Sequence, residues 1–492
     1  MKYKLFRDIS FNTLQVLVNQ FLGVFIFLLI SRYLDKPAFG ELSWSLAVLT
    51  FIMTILSLRL EQVIVRNVAA GGEPSKMLSL FMMHNLITGT IFFLLLSAGV
   101  RWLPVFFNRN SLLWILSISQ LLGFFSLPFR QVITGRAAFG WLVVLSSIAN
   151  LIRAGGLLGV VVFSTISLQW VLILFTFSAL AEFIAGAYIV FHRLQIPYTV
   201  RRFSEYKELI KSSFPQVGMV VLNAGIARMD WILLGIFSTP ARTAEYSFAY
   251  KAFELSPLPL LIVAPLLLNY YSRSPLQKDP ARLNLLIRWE MVLATLLPLL
   301  SIIAWSPLAD ALTHNKYGQV NEVTFLILCF CIPFQYLINI HWSREFAQDR
   351  LGRIFTVTAI TALVILAGDL LLIPLYAGRG AAIAFLAGMI VQYLLYCRAL
   401  PLTVAMDWGR SLLIPVAIAV CSGLIAVWMT KAMIPRLLIA SGVYAFLIGI
   451  TGRFRLNDWS LMKDWVLGKK MAPSVAAIRE KTADKILVNE VE

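Results

Sequence analysis

The sequence predicts an all-α polytopic membrane protein of about fourteen transmembrane helices, arranged as two parallel six-helix lobes around a central cavity plus two extra helices. Three observations predict it. Of 492 residues, 59% are hydrophobic and 14% charged, whereas soluble domains carry roughly 45–50% and about 25%. The apolar residues gather in long segments, each near the roughly 20 residues that one membrane crossing needs. The Lys and Arg residues collect in alternate connections between those segments.

Taken in order, the segments lie near 11–31, 42–60, 77–100, 112–132, 141–163, 170–190, 212–237, 246–271, 284–305, 320–341, 354–375, 380–398, 411–430 and 436–452. With a cytoplasmic N-terminus, and with the segment-end residues Arg59, Arg130, Arg398 and Arg436 counted with the adjoining loops, 29 of the 42 Lys and Arg residues fall inside, nine outside and four within spans. Cytoplasmic loops carry this excess in multi-span proteins, so both termini are expected to be cytoplasmic. The formal net charge of +17 therefore reflects topology, and no nucleic-acid partner is expected. Lys2, Lys4 and Arg7 before an apolar stretch imitate a secretory leader. That stretch carries Asn12, Gln15, Asn19 and Gln20, with no small-residue cleavage site after Ile30, and it reads as an uncleaved first span. Cys329, Cys331, Cys397 and Cys421 form no metal-ligand pattern and read as small apolar residues.

An internal repeat suggests the domain boundaries. A shift of 204 residues sets span 1 on span 7, Asn19 meeting Asn223 and Glu41 meeting Glu245; a shift of 212 sets Gly140 on Gly352 and Gly156 on Gly368. Six spans separate the copies, so they share one orientation, as in transporters built from parallel repeats. The expected division is an N-terminal lobe 1–190, an interfacial linker 191–211, a C-terminal lobe 212–400, two added helices 401–452 and a cytoplasmic tail 453–492. In the linker, Phe203, Tyr206, Ile210 and Phe214 recur at helical spacing among Arg201, Arg202, Lys207 and Lys211, the pattern of a basic helix lying in the membrane interface.

Charges inside the spans are the candidate functional residues, because a central Arg, Lys or Asp costs roughly 2.5–3.5 kcal/mol to insert. The cations are Arg153 in span 5, Arg228 in span 7, Lys251 in span 8 and Arg288 in span 9. The acids are Glu182, Asp230, Glu254, Glu290 and Asp369, and His84 lies in span 3. Lys251 and Glu254 are three apart and can pair on one helix face. Arg228 and Asp230 are two apart, so each needs a partner on another helix. Arg side chains suit phosphate because the planar fork grips two oxygens at once. Five acids against four cations argue against a wholly positive cavity, and Glu182, Asp230, Glu254 and Asp369 are candidates for ion coupling. His84 reads as an interhelical hydrogen-bonding residue. Prolines at or within spans permit bends, and span 8, with Pro257, Pro259 and Pro265 after Glu254, is the best candidate for a hinged helix.

Several segments carry a resemblance. They are Arg32-Tyr33-Leu34 with Phe39-Gly40-Glu41-Leu42-Ser43, Val65-Arg66-Asn67-Val68-Ala69, Asp230-Trp231-Ile232-Leu233-Leu234-Gly235 leading to Glu245-Tyr246-Ser247, and Leu372-Ile373-Pro374 before Gly380-Ala381-Ala382. Over roughly residues 1–450 the chain resembles the polysaccharide-transporter branch of the multidrug/oligosaccharidyl-lipid/polysaccharide (MOP) exporter superfamily, which includes O-antigen and capsule repeat-unit flippases. The resemblance implies two six-helix lobes and alternating access in a bacterial inner membrane. It implies a lipid-diphosphate-linked oligosaccharide as cargo, with Arg153, Arg228, Lys251 and Arg288 as the cations for the diphosphate. It also implies a monomer without cofactor or metal, in contact with membrane lipids, a polysaccharide polymerase and a chain-length regulator. Two positions depart from the pattern: Asp369 stands where Asn is usual, and Ala377 where Gly commonly follows Tyr376.

Other classes were weighed against this one. An ion-coupled exporter of drugs or organic cations would favour an acid-rich cavity. A polytopic glycosyltransferase or polymerase would need a sizeable outer loop, and the longest here, 306–319, is short. No Walker A sequence is present, so an ATP-driven pump is not indicated.

Overall fold

The computed structural model describes residues 2–102, 111–199, 202–272, 280–398 and 402–451; the expected tail lies outside them. The described residues are almost wholly helical, the expected result for a chain that must satisfy its backbone polar groups internally when surrounded by lipid. Their sixteen α-helices are α1 (Lys2–Tyr33), α2 (Lys36–Leu56), α3 (Leu60–Ala69), α4 (Pro74–Trp102), α5 (Ser111–Gly135), α6 (Phe139–Phe163), α7 (Leu168–Tyr188), α8 (Phe203–Phe237), α9 (Pro240–Phe253), α10 (Leu260–Tyr271), α11 (Pro280–Thr313), α12 (Glu322–Ala347), α13 (Leu351–Tyr376), α14 (Gly378–Cys397), α15 (Leu402–Met429) and α16 (Met433–Ile450).

Twelve of the described helices are long and apolar enough to cross a membrane. The other two expected spans are occupied by α1, whose apolar part is Val18–Tyr33, and by the pair α9–α10. The second case has a clear cause. Pro257 and Pro259 lack a backbone N–H and disfavour helical geometry in the residue before them, and the chain passes 254–259 in turns before α10 begins. Pro128, Pro215, Pro333 and Pro374 sit inside unbroken helices instead.

The linker differs from expectation. Its helical part is the first turns of α8, a 35-residue helix continuous with span 7. Leu209 is buried, and Tyr206 and Ile210 pack with it on a core built from α3, α4, α5 and α6. Lys76 pairs with Glu205 at 3.2 Å. His84 joins the same corner, 3.0 Å from the Tyr206 hydroxyl and 2.7 Å from the Leu56 carbonyl, the interhelical role expected of it. Packing on this core removes the apolar face that a helix lying in the interface would have given to lipid; Phe203 and Phe214 remain exposed.

Two compact units are formed. The first takes the described residues of Met1–Leu258, Ala304–Cys331 and Arg350–Arg398; the second takes Pro259–Ile303, Ile332–Asp349 and the described residues from Ala399 onward. Within the first unit, α2 lies against α8 and α9 so closely that a Cβ on Gly40 would sit 1.8 Å from the Pro240 carbonyl oxygen, and the Trp44 indole donates to the Ile232 carbonyl at 3.1 Å. The loops at this end are tied by Lys36 to Glu245 at 3.0 Å and by Lys316 donating to the Arg32 and Leu34 carbonyls at 2.6 and 2.8 Å. An aromatic layer lies beside them: Phe248 stacks on Tyr317 at 4.6 Å and Trp305 on Phe325 at 3.8 Å, with Phe27 and Phe39 at its edge. Within the second unit, Leu299, Ile303, Ile418, Ala440, Tyr444 and Ile448 form the core of α11, α15 and α16.

The departure at residue 377 has a structural cost. Ala377 joins α13 to α14 with φ +47 and ψ −127, a conformation that glycine adopts freely and other residues hold only under strain of order 1–3 kcal/mol. Ala377→Gly is therefore expected to raise the thermal unfolding temperature of the purified protein by about 1 °C, as about 1 kcal/mol of relieved strain does in a chain of this length. An unchanged or lower temperature would contradict this.

Candidate functional site

The intramembrane charges of the first unit separate into two groups, and hydrogen bonding decides which. A cavity of about 290 Å³ is lined by side chains of α1, α2, α6, α7, α8 and α9. Arg153, Arg228 and Lys251 are among its lining residues, with Asn150, Ser43 and Thr50 as neutral polar groups, and no carboxylate lines it. Phe27 and Phe39 place it directly beneath the aromatic layer.

Each cation is positioned by a different element. Arg153, on α6, donates from Nε to Ser178 Oγ of α7 at 2.7 Å and lies 4.7 Å from the centre of the Phe175 ring. Among the described residues no carboxylate holds it within ion-pair distance. Arg228, on α8, lies over Trp231 at 5.1 Å and donates to Glu254 Oε1 at 3.2 Å. Lys251, one turn before the end of α9, reaches Glu254 Oε2 at 2.7 Å. Glu254 thus serves two cations, one on each oxygen, and the three groups together carry one net positive charge. Both ring contacts are favourable for a cation near an aromatic face. Asn150 donates to Asn19 of α1 at 3.1 Å, fixing one polar group at the rim.

The acids are held elsewhere. Glu182 is buried and forms an ion pair with Arg130 of α5, while Ser126 donates to it at 3.0 Å. Asp230 is buried one helical step from Arg228 but turned away from it, accepting from the Tyr246 hydroxyl at 2.5 Å and the Trp231 backbone N–H at 2.8 Å. Asp369 on α13 is fully buried, and neither carboxylate oxygen has a hydrogen-bond partner among the described residues. Arg288 and Glu290 belong to the second unit, and Arg288 is not among the residues lining this cavity.

Three of the four sequence-selected cations therefore share one cavity. Among the described residues Glu182 and Glu254 are held in ion pairs and Asp230 and Asp369 are buried, while the cavity lining itself carries Arg153, Arg228 and Lys251. Arg130 was missed because it lies at the end of its apolar segment and reads as a loop residue. The signal that would have found it is Glu182, a carboxylate in hydrocarbon that needs a cation on a neighbouring helix. Cys329 and Cys331 are buried, as expected of small apolar side chains. No cluster able to hold a metal ion occurs among the described residues.

The volume bears on what fits. Small-ligand pockets run from about 300 to 1,000 Å³, so at about 290 Å³ this cavity lies at the lower edge of that range. Twelve described helices long and apolar enough to cross a membrane, with three cations lining one cavity among them, define a multi-span membrane protein. The chain belongs to the polysaccharide biosynthesis protein family, whose sequence profile matches residues 5–267, just over half of it. Among solved structures it is similar to a lipid II flippase, MurJ, in an inward closed conformation, with 14% identity, TM-score 0.72, and 90% of this chain and 99% of that one covered. It is also similar to an inward-facing multidrug resistance transporter of the MATE family (13% identity, TM-score 0.59, 80% and 94% covered). A Vibrio cholerae MATE transporter is a third relative in fold (16% identity, TM-score 0.53, 81% and 96% covered). At these identities the likeness is one of fold. No curated protein sequence matches significantly.

Because Glu254 competes with any anion for Arg228 and Lys251, Glu254→Gln is expected to strengthen binding of inorganic pyrophosphate to the purified protein. A gain of about tenfold corresponds to about 1.4 kcal/mol, and calorimetric titration measures it. Weaker binding in that variant would show that Glu254 holds the cations in place rather than competing for them.

Proposed function

We propose that the protein is a flippase that moves a lipid-diphosphate-linked oligosaccharide repeat unit from the inner to the outer leaflet of a bacterial inner membrane, for assembly of a surface polysaccharide. The observation that carries this reading is the cavity lining: three cations, two of them guanidinium forks, with no acid facing the same space. In this reading Arg153, Arg228 and Lys251 hold the diphosphate. Arg153 is the most available of them because its side-chain hydrogen bond among the described residues goes to a neutral hydroxyl, Ser178 Oγ, and not to a carboxylate. The lipid tail and the sugars lie outside the cavity, which is too small for either. Membership of the polysaccharide biosynthesis family supports the cargo class, and the transporter fold supports movement between leaflets.

Alternating access assigns the rest. The aromatic layer and the Lys36–Glu245 tie close one end of the cavity, the end that the loop charges place outside. The lobes 1–190 and 212–400 would separate there to release cargo, with 401–452 as an addition to this machinery and both termini cytoplasmic. Asp230 and Asp369 keep their role as candidates for ion coupling; Glu182 and Glu254 are committed to ion pairs. A polymerase and a chain-length regulator are natural partners downstream, because flipped repeat units must be consumed.

An exporter of organic cations is the competing reading, and a lining without acids disfavours it: a cation entering this cavity would meet like charge on three sides. Arg153→Ala and Arg228→Ala are each expected to make lipid-linked repeat units accumulate on the inner leaflet and to reduce surface polysaccharide at least tenfold, with normal protein levels. Unchanged surface polysaccharide in both variants would reject the cavity as the headgroup site. Resistance to organic cations that depends on the protein and survives both substitutions would instead favour the exporter.

A further inference from the structure

The second unit contains a buried acid that the cavity does not use. Glu290, on α11, has no solvent exposure, and neither of its carboxylate oxygens has a hydrogen-bond partner among the described residues. An ionised carboxylate stripped of water and of partners is penalised by several kcal/mol or more, so Glu290 exists in this conformation as the neutral acid. Acids retained inside a membrane helix at such a cost ordinarily mark ion or proton pathways.

The surroundings of Glu290 contain protonatable and hydrogen-bonding groups but no charge that would fix it as an anion. Tyr271 at the end of α10 and Tyr336 on α12 are the groups within its electrostatic reach, and both phenols are neutral at ordinary pH. Arg344, also on α12, acts on Tyr271. The remaining titratable groups on these elements are Tyr270, His341 and Glu345, with Glu322, Cys329 and Cys331 earlier on α12, Arg288 two residues away on α11 and Tyr444 of α16 bonded to Thr295 at 2.7 Å. Tyr336 is within electrostatic reach of Glu290, and positions three and seven further along a helix share one face with it. Those positions are Asn339 and Ser343. Asn339 Nδ2, Ser343 Oγ, Gln335 Oε1 and Tyr271 Oη are buried and without a hydrogen-bond partner among the described residues. Buried polar atoms in this condition are ordinarily satisfied by internal water. A line of them at one-turn spacing describes a wettable path along α12.

The direction of that path follows from the helices. Glu290 lies ten residues into α11, roughly 15 Å along its axis, and the loop charges put the start of α11 and the ends of α10 and α12 on the inner side. We propose that Glu290 is a proton-binding site reached from the inner solution along the Tyr271–Ser343–Asn339–Tyr336 face, and that it takes up and releases one proton in each transport cycle. The cycle rests on the flippase reading above; the protonation of Glu290 and its path do not.

Two measurements on the full-length protein in lipid test this. In infrared difference spectra at neutral pH, wild type minus Glu290→Gln should contain the C=O stretch of one protonated carboxylic acid. A difference containing only carboxylate bands overturns the site. In vesicles loaded with the pH dye pyranine and given an external acid pulse, the wild-type protein should speed proton equilibration at least fivefold over Glu290→Gln. Asn339→Leu should slow it while leaving the infrared band in place. Equal rates for wild type and Glu290→Gln overturn the proton role. Pyrophosphate binding, set by the first-unit cavity, should be the same in wild type and Glu290→Gln, so loss of that binding in Arg153→Ala tests the headgroup reading separately.

Discussion

The structure depends on one constraint: a charge surrounded by hydrocarbon must be paired, hydrated or neutralised. Several intramembrane ionisable groups of the first unit show how that condition is met. Glu182 is paired with Arg130. Glu254 divides its two oxygens between Arg228 and Lys251. Asp230 is held by a phenol and a backbone N–H. Arg153 has no acid and faces open space beside a hydroxyl and a ring. Positive charge is left over only where there is room for something to bind it, and that coincidence makes the cavity more than a packing defect.

Much of this was legible in the sequence, and the limits have physical causes. Spans are set by local composition and length, so fourteen segments could be counted directly. The break in span 8 was visible because proline acts on its own neighbours. The Lys251–Glu254 pair was visible because a three-residue spacing places both on one helix face, and the two-residue spacing of Arg228 and Asp230 foretold partners on other helices. What a one-dimensional pattern lacks is which helix stands opposite. The sharing of Glu254 between α8 and α9, the pairing of Glu182 with α5, and the membership of Arg288 in the other unit are all tertiary facts. The linker misled for a related reason: its amphipathic face fits a lipid surface and a protein core equally well, and only the core supplied by α3 to α6 distinguishes them.

Segregation of acids also bears on how fold relates to function in this superfamily. The fold is shared with MATE-type transporters at 13–16% identity, so the arrangement of helices alone does not say what sign of cargo the bundle accepts. The sign is set by which side chains are turned into the cavity and which are turned away. Here Asp230 and Arg228, two residues apart on one helix, take opposite assignments, and a rotation of α8 by a fraction of a turn would exchange them.

The small volume of the cationic cavity has a consequence for the function proposed above. On that proposal a site of about 290 Å³ would grip only the diphosphate and place no demand on the glycan, so the surfaces beyond it could diversify while Arg153, Arg228 and Lys251 stayed unchanged.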